Sequence, residues 1–144
     1  MKNIALLPII ILSLIACQQT SVDRHTDEIK YKETVTLNQV PKSTLTFYDV
    51  TDSRCPEGAQ CIWAGNAVVD LELNGVTTEG GTTKWISMCL GQCTKDFKTA
   101  DSLDIEFTGQ KYRLILNAVN PYPGVSTESS KKDYSISLKI ERRP

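Results

Sequence analysis

From residue 31 onward, apolar and polar positions alternate in short runs. Tyr31, Val35 and Leu37 share one side of the first run, and Ala67, Val69, Leu71 and Leu73 alternate with Asn66, Asp70 and Glu72 in another. Leu103, Ile105 and Phe107 repeat the pattern against Asp104 and Glu106. So do Tyr112, Leu114, Leu116 and Ala118, and then Tyr134, Ile136, Leu138 and Ile140. Two weaker runs cover Ser43–Val50 and Thr82–Met88. A period of two places alternate side chains on one face, so the pattern predicts about seven strands with one buried face each.

Turn chemistry falls between the runs, at Asn74-Gly75, Gly80-Gly81, Gly109 and Pro121-Tyr122-Pro123-Gly124. A short helical turn is expected around Thr94–Ala100. Many short strands with one wet face predict an all-β fold, a small antiparallel β-barrel or, alternatively, a β-sandwich. In a meander, alternate connections lie at the same end. The three longest, 51–65, 87–100 and 119–132, are therefore expected at one pole, where a rigid scaffold can carry binding loops.

The start of the chain has a different character. An apolar run, Ile4–Ala16, follows Lys2 and is of a length that suits a secretory leader. It ends in Leu14-Ile15-Ala16-Cys17, which resembles a bacterial lipobox. The expected organisation is a signal peptide over 1–16, a lipidated Cys17 opening a flexible tether over 17–30, and one β domain over 31–144. Gln18 stands where an inner-membrane retention signal would carry Asp. The outer membrane is thus the expected address, with the periplasmic and surface faces both open.

Sixteen basic residues face seventeen acidic ones. Without a basic stripe, nucleic acid is not an expected partner. The single histidine, His25, lies in the expected tether, so the domain holds no imidazole for Ser-His or Cys-His catalysis. The carboxylates fall mostly on outward strand positions, and no phosphate-binding glycine loop is present. The reading is a non-enzyme without a cofactor.

Cys55, Cys61, Cys89 and Cys93 remain after Cys17. In an exported domain they are expected to form two disulfides, with a tetrathiolate zinc site as the alternative. Three pairings are possible. Local pairing, Cys55 with Cys61 and Cys89 with Cys93, is favoured because neighbours close without tertiary help and Pro56 and Gly58 can bend the short ring. Crossed pairing would staple the two loops together. Arg54 and Trp63 are residue types that serve as interface anchors, but Trp63 could equally plug the end of the barrel.

The stretch "DSRCPEGAQCIWAGNA", with the lipobox before it and "KYRLILNAVNPYPG" after it, resembles the potempins, lipid-anchored β-barrel inhibitors of secreted peptidases. The resemblance implies an oligonucleotide/oligosaccharide-binding-like barrel whose loops block the cleft of a secreted endopeptidase, with a zinc-dependent one as the first choice. The zinc would belong to the target, and the inhibitor would be a monomer when free. Asp52, Ser53, Arg54, Cys55, Pro56, Cys61, Trp63, Ala64 and Gly65 match the shared pattern, and the segment near Ser53–Cys55 would lie along the cleft. Met88, Leu90, Gly91, Gln92, Pro121, Tyr122 and Pro123 are contact candidates by position. A non-enzymatic lipoprotein that binds an envelope protein or a glycan is the alternative, and a purely structural role for the motif is the third.

Overall fold

The computed structural model describes residues 24–125 and 129–144. The expected leader, Cys17 and the first part of the tether lie outside the described residues. Nine strands follow one another: β1 (Arg24–Lys30), β2 (Thr34–Asn38), β3 (Ser43–Asp52), β4 (Asn66–Thr77), β5 (Gly80–Gln92), β6 (Phe97–Lys98), β7 (Asp101–Phe107), β8 (Gln110–Asn120) and β9 (Ser135–Arg143). They form two antiparallel sheets, ordered β2-β3-β4-β5-β6 and β1-β9-β8-β7. All-β architecture is therefore as expected, and the seven anticipated runs all become strands.

Every pairing except β1–β9 joins strands consecutive in the chain, so the order is an up-and-down meander. No Greek-key crossover, the mark of an oligonucleotide-binding barrel, occurs among the described strands. The two sheets share one core, in which Leu45, Phe47, Val69, Leu71, Leu73, Leu114, Leu116, Ile136 and Leu138 are buried. Their edges meet without a ladder. On one side the chain itself crosses, Tyr31 N–H still donating to Tyr134 O just before β9 and Lys32 N–H already to Phe47 O of β3. On the other, Cys89 N–H donates to the Asp101 carboxylate at 3.0 Å. The two sheets thus meet at one seam through the crossing chain and at the other through a backbone–carboxylate bond.

Four expectations are corrected. Residues 24–30, read as tether, form β1, which pairs with β9 from Arg24↔Ile140 to Lys30↔Ser135 and buries Ile29 completely. The domain thus begins at Arg24 or before it. No helical turn forms at 94–100; β6 lies there and pairs with the end of β5. Asn74-Gly75 is no turn but the interior of β4, which stays paired with β5 as far as Thr77↔Gly80, and the missing side chain at Gly75 lets Thr108 and Phe107 pack against it. The reversal comes at 78–79 instead. Lastly, a bulge between Leu116 and Ala118 shifts the phase of β8, so Val119 enters the core and Ala118 does not. A bulge between Phe47 and Asp49 likewise turns Val50 inward.

The β1 pairing has a direct consequence. Ile29→Ala should destabilise the domain by about 2–4 kcal/mol, as removal of a buried aliphatic side chain does. Urea unfolding measures it, and a neutral substitution would mean that the segment is tether after all.

Candidate functional site

The strand directions gather the connections 53–65, 93–100 and 121–134 at one pole, as the meander predicts. The β1–β2 link joins them there. Short reversals at 39–42, 78–79 and 108–109 occupy the other pole. Backbone bonds tie the long loops together. Ser53 N–H donates to Asn66 O and Cys55 N–H to Ala64 O, both at 2.8 Å, which extends the β3–β4 pairing into the loop. Glu57 N–H donates to Pro123 O at 2.8 Å, and Gln92 N–H to Gly65 O at 2.9 Å. Gly65 sits at φ +70°, where a Cβ would lie 1.9 Å from Ser53 O, so only glycine fits this crossing.

Disulfides join Cys55 to Cys61 and Cys89 to Cys93, the local pairing. The zinc alternative is excluded, because all four thiols are consumed. Cys55–Cys61 closes a turn in which Ala59 N–H donates to Pro56 O.

Asp52 and Arg54 hold the base of this loop. The Asp52 carboxylate accepts from Arg54 Nε at 2.9 Å, Arg54 Nη2 at 2.6 Å, Arg54 N at 3.0 Å and the Tyr134 hydroxyl at 3.1 Å. Arg54 Nη2 also donates to Pro121 O at 3.0 Å, and its guanidinium lies 4.5 Å from the Tyr122 ring centre. Their side chains are 5% and 10% exposed. Burial works to raise the Asp52 pKa, but the hydrogen bonds and charge of Arg54 outweigh it and hold the carboxyl below its ordinary value. Burial, then the Asp52 charge, pushes the Tyr134 phenol up.

This placement redistributes the expected roles. Arg54 faces inward and fastens the β3–β4 loop to the β8–β9 connection, so it is not an outward anchor. Ser53 is exposed, yet its hydroxyl donates to Asn66 O at 3.0 Å and its carbonyl packs against Gly65. Met88 and Leu90 are core residues and Gly91 is buried, because β5 runs on to Gln92. They are withdrawn as contact candidates. Gln92 is half-buried beside Asn66, whose Nδ2 donates to Gln92 O at 3.2 Å.

What faces solvent is the far part of the loop. Ile62 is 92% and Trp63 72% exposed, so Trp63 does not plug the barrel. Cys61 and Ala64 are exposed beside them, and Pro56 is half-buried. Tyr122, a contact candidate by position, is exposed beside them, and Phe97 and Val125 add exposed apolar surface that sequence reasoning did not single out. Phe97 escaped notice inside a stretch read as helical. A shallow depression of about 500 Å³ lies between Cys55, Pro56, Glu57, Ala59 and Tyr122. The pole thus offers a stiff rim of apolar side chains and no cluster of three or more metal-ligating groups among the described residues.

In comparisons with known proteins, no family model matches the chain, and no curated protein or solved structure is significantly similar to it.

Two outcomes follow from the latch. Arg54→Ala should cost about 2–4 kcal/mol, because it strands a buried carboxylate, whereas Trp63→Ala should stay within about 0.5 kcal/mol. Thermal or urea melts of the two variants check this ordering. The pH dependence has a definite sign. Asp52 is held below its ordinary 3.8, so its contribution is complete above that value and is lost as pH falls through the folded-state pKa. The stability gap between the wild type and Asp52→Asn should therefore narrow below about pH 4.

Proposed function

We propose that this protein is a binding protein that acts as a stoichiometric inhibitor of a secreted endopeptidase, with the disulfide-closed loop entering the target's cleft. The observation that carries this reading is the pairing of rigidity with exposure at one place. Ile62 and Trp63 stand almost free of the fold, directly after a ring closed by Cys55–Cys61 and fastened at its base by Asp52 and Arg54. A loop ordered before binding loses little entropy on association, and a stiff ring is a poor substrate for the enzyme it enters. Large exposed aromatics are the side chains that most often dominate such contacts.

The class of partner comes from the resemblance of Asp52–Ala67 to the potempins, and a zinc-dependent endopeptidase is the first choice within it. The inward turn of Arg54 and the hydrogen bonding of Ser53 to Asn66 move the proposed contact a few residues along the chain, to Glu57–Trp63, with Tyr122, Pro123 and Phe97 as flanking contacts. No cofactor of its own enters this mechanism. Occlusion needs only shape, rigidity and an apolar anchor.

The soluble chain from residue 18 onward, titrated against secreted metallo-, serine and cysteine endopeptidases, tests the proposal. One-to-one inhibition of one class is expected, with Trp63→Ala weakening it by about 30-fold or more, the loss of an interface hot spot, at unchanged stability. Absence of inhibition across all three classes would sink the peptidase reading and leave the pole as a site for an envelope protein or glycan.

A further inference from the structure

The strand directions also fix where the chain enters the fold. β1 starts at Arg24 beside Ile140 and ends at Lys30 beside Ser135, so its first residue lies at the pole of short reversals, opposite the long loops. That pole has an apolar face of its own. Val40 is 86% and Val76 52% exposed, and with Pro41, Thr78, Thr108 and Gly109 they line a groove of about 560 Å³. At this pole Lys42, Lys111, Arg142 and Arg143 stand against Glu79 and Glu106. The groove lining itself is uncharged, and the residues around it are on balance basic.

We infer that this pole is the membrane-contacting face of the protein, and that Val40, Pro41 and Val76 rest in the interfacial layer of the bilayer that holds the N-terminal anchor. The occupant follows from chain length. Six residues separate Cys17 from Arg24, and at full extension they reach ~25 Å at most. The entry pole is therefore confined near the surface to which Cys17 is attached. A small apolar face needs no great affinity of its own there, because a tethered contact is intramolecular. β4, with 12 residues, spans the height of the barrel, so Trp63 stands ~30–40 Å farther from the lipid. The loop pole would then project outward, accessible to a large partner. The inference rests on Cys17 as the lipid-bearing residue and not on the identity of the partner.

Tryptophan quenching in the full lipid-bearing protein tests it. The protein is reconstituted in phosphatidylethanolamine–phosphatidylglycerol vesicles with brominated acyl chains. Trp85→Phe leaves Trp63 as the sole reporter, and Trp63→Phe/Trp85→Phe/Val76→Trp places the sole reporter in the groove. The groove reporter should lose about half of its emission relative to unbrominated vesicles, as a side chain at the acyl boundary does, while Trp63 should be unaffected. Quenching of Trp63, or of neither reporter, overturns the orientation. Failure of the protein to remain with the vesicles overturns the anchor on which it depends. A groove reporter that is unquenched by bromine yet shielded from aqueous iodide would assign the face to a protein instead. Inhibition assays on the soluble chain are independent of all these outcomes.

Discussion

Asp52 ends β3 with its carboxylate out of water, where an unpaired charge would be too costly to keep. The arrangement of the loop pole follows from satisfying it. Arg54, two residues on, must turn back across the strand end to reach both oxygens, and Tyr134 approaches from the start of β9 to supply a further donor. With the guanidinium held there, its remaining N–H meets the carbonyl of Pro121 and its face meets the Tyr122 ring. One buried anion thereby draws the β3–β4 loop against both ends of the β8–β9 connection, at Pro121 and at Tyr134. The Cys55–Cys61 ring is built on top of that junction, and its outward part is left without contacts to the core.

The remainder of the molecule serves to hold this end. Closely packed strands with fully buried Leu71, Leu73, Leu114 and Ile136 form a stiff wall, and each sheet edge is joined to the other by a few backbone and carboxylate bonds rather than by a continuous ladder. On the outer face, Tyr48 and Trp85 meet edge to face across β4 with Lys32 above Tyr48, which covers the bulge in β3. A rigid barrel with one loosely apolar end is suited to presenting a loop and unsuited to closing over a ligand.

Most strands were legible because a half-buried strand writes its burial as alternation, and Ala67–Leu73 did so with Val68 alone out of pattern. β1 was not legible: within Arg24–Lys30 only Ile29 is apolar, and the segment becomes a strand because β9 offers it a ladder. The phase error at Ala118 comes from a bulge, which adds one residue and turns the next side chain to the other face. At the site, the disulfide pairing and the shared pole followed from spacing and from meander topology. Exposure did not. Arg54 and Trp63 looked alike as anchors, and only the position of Asp52 decides that the first turns in while the second stays out. Met88 and Leu90 misled because β5 continues past the point where its pattern weakens.

The account depends on the loop pole being ordered before any partner arrives. Amide hydrogen exchange in the free protein measures this most directly, at Ser53, Cys55 and Glu57, whose N–H groups bond to Asn66, Ala64 and Pro123. A preformed pole predicts slow exchange at all three sites, with protection approaching that of the core strands and collapsing in Arg54→Ala. Exchange at the rate of an unstructured peptide in the wild type would contradict the account, since a loop that opens freely could neither present Trp63 in a fixed place nor resist cleavage.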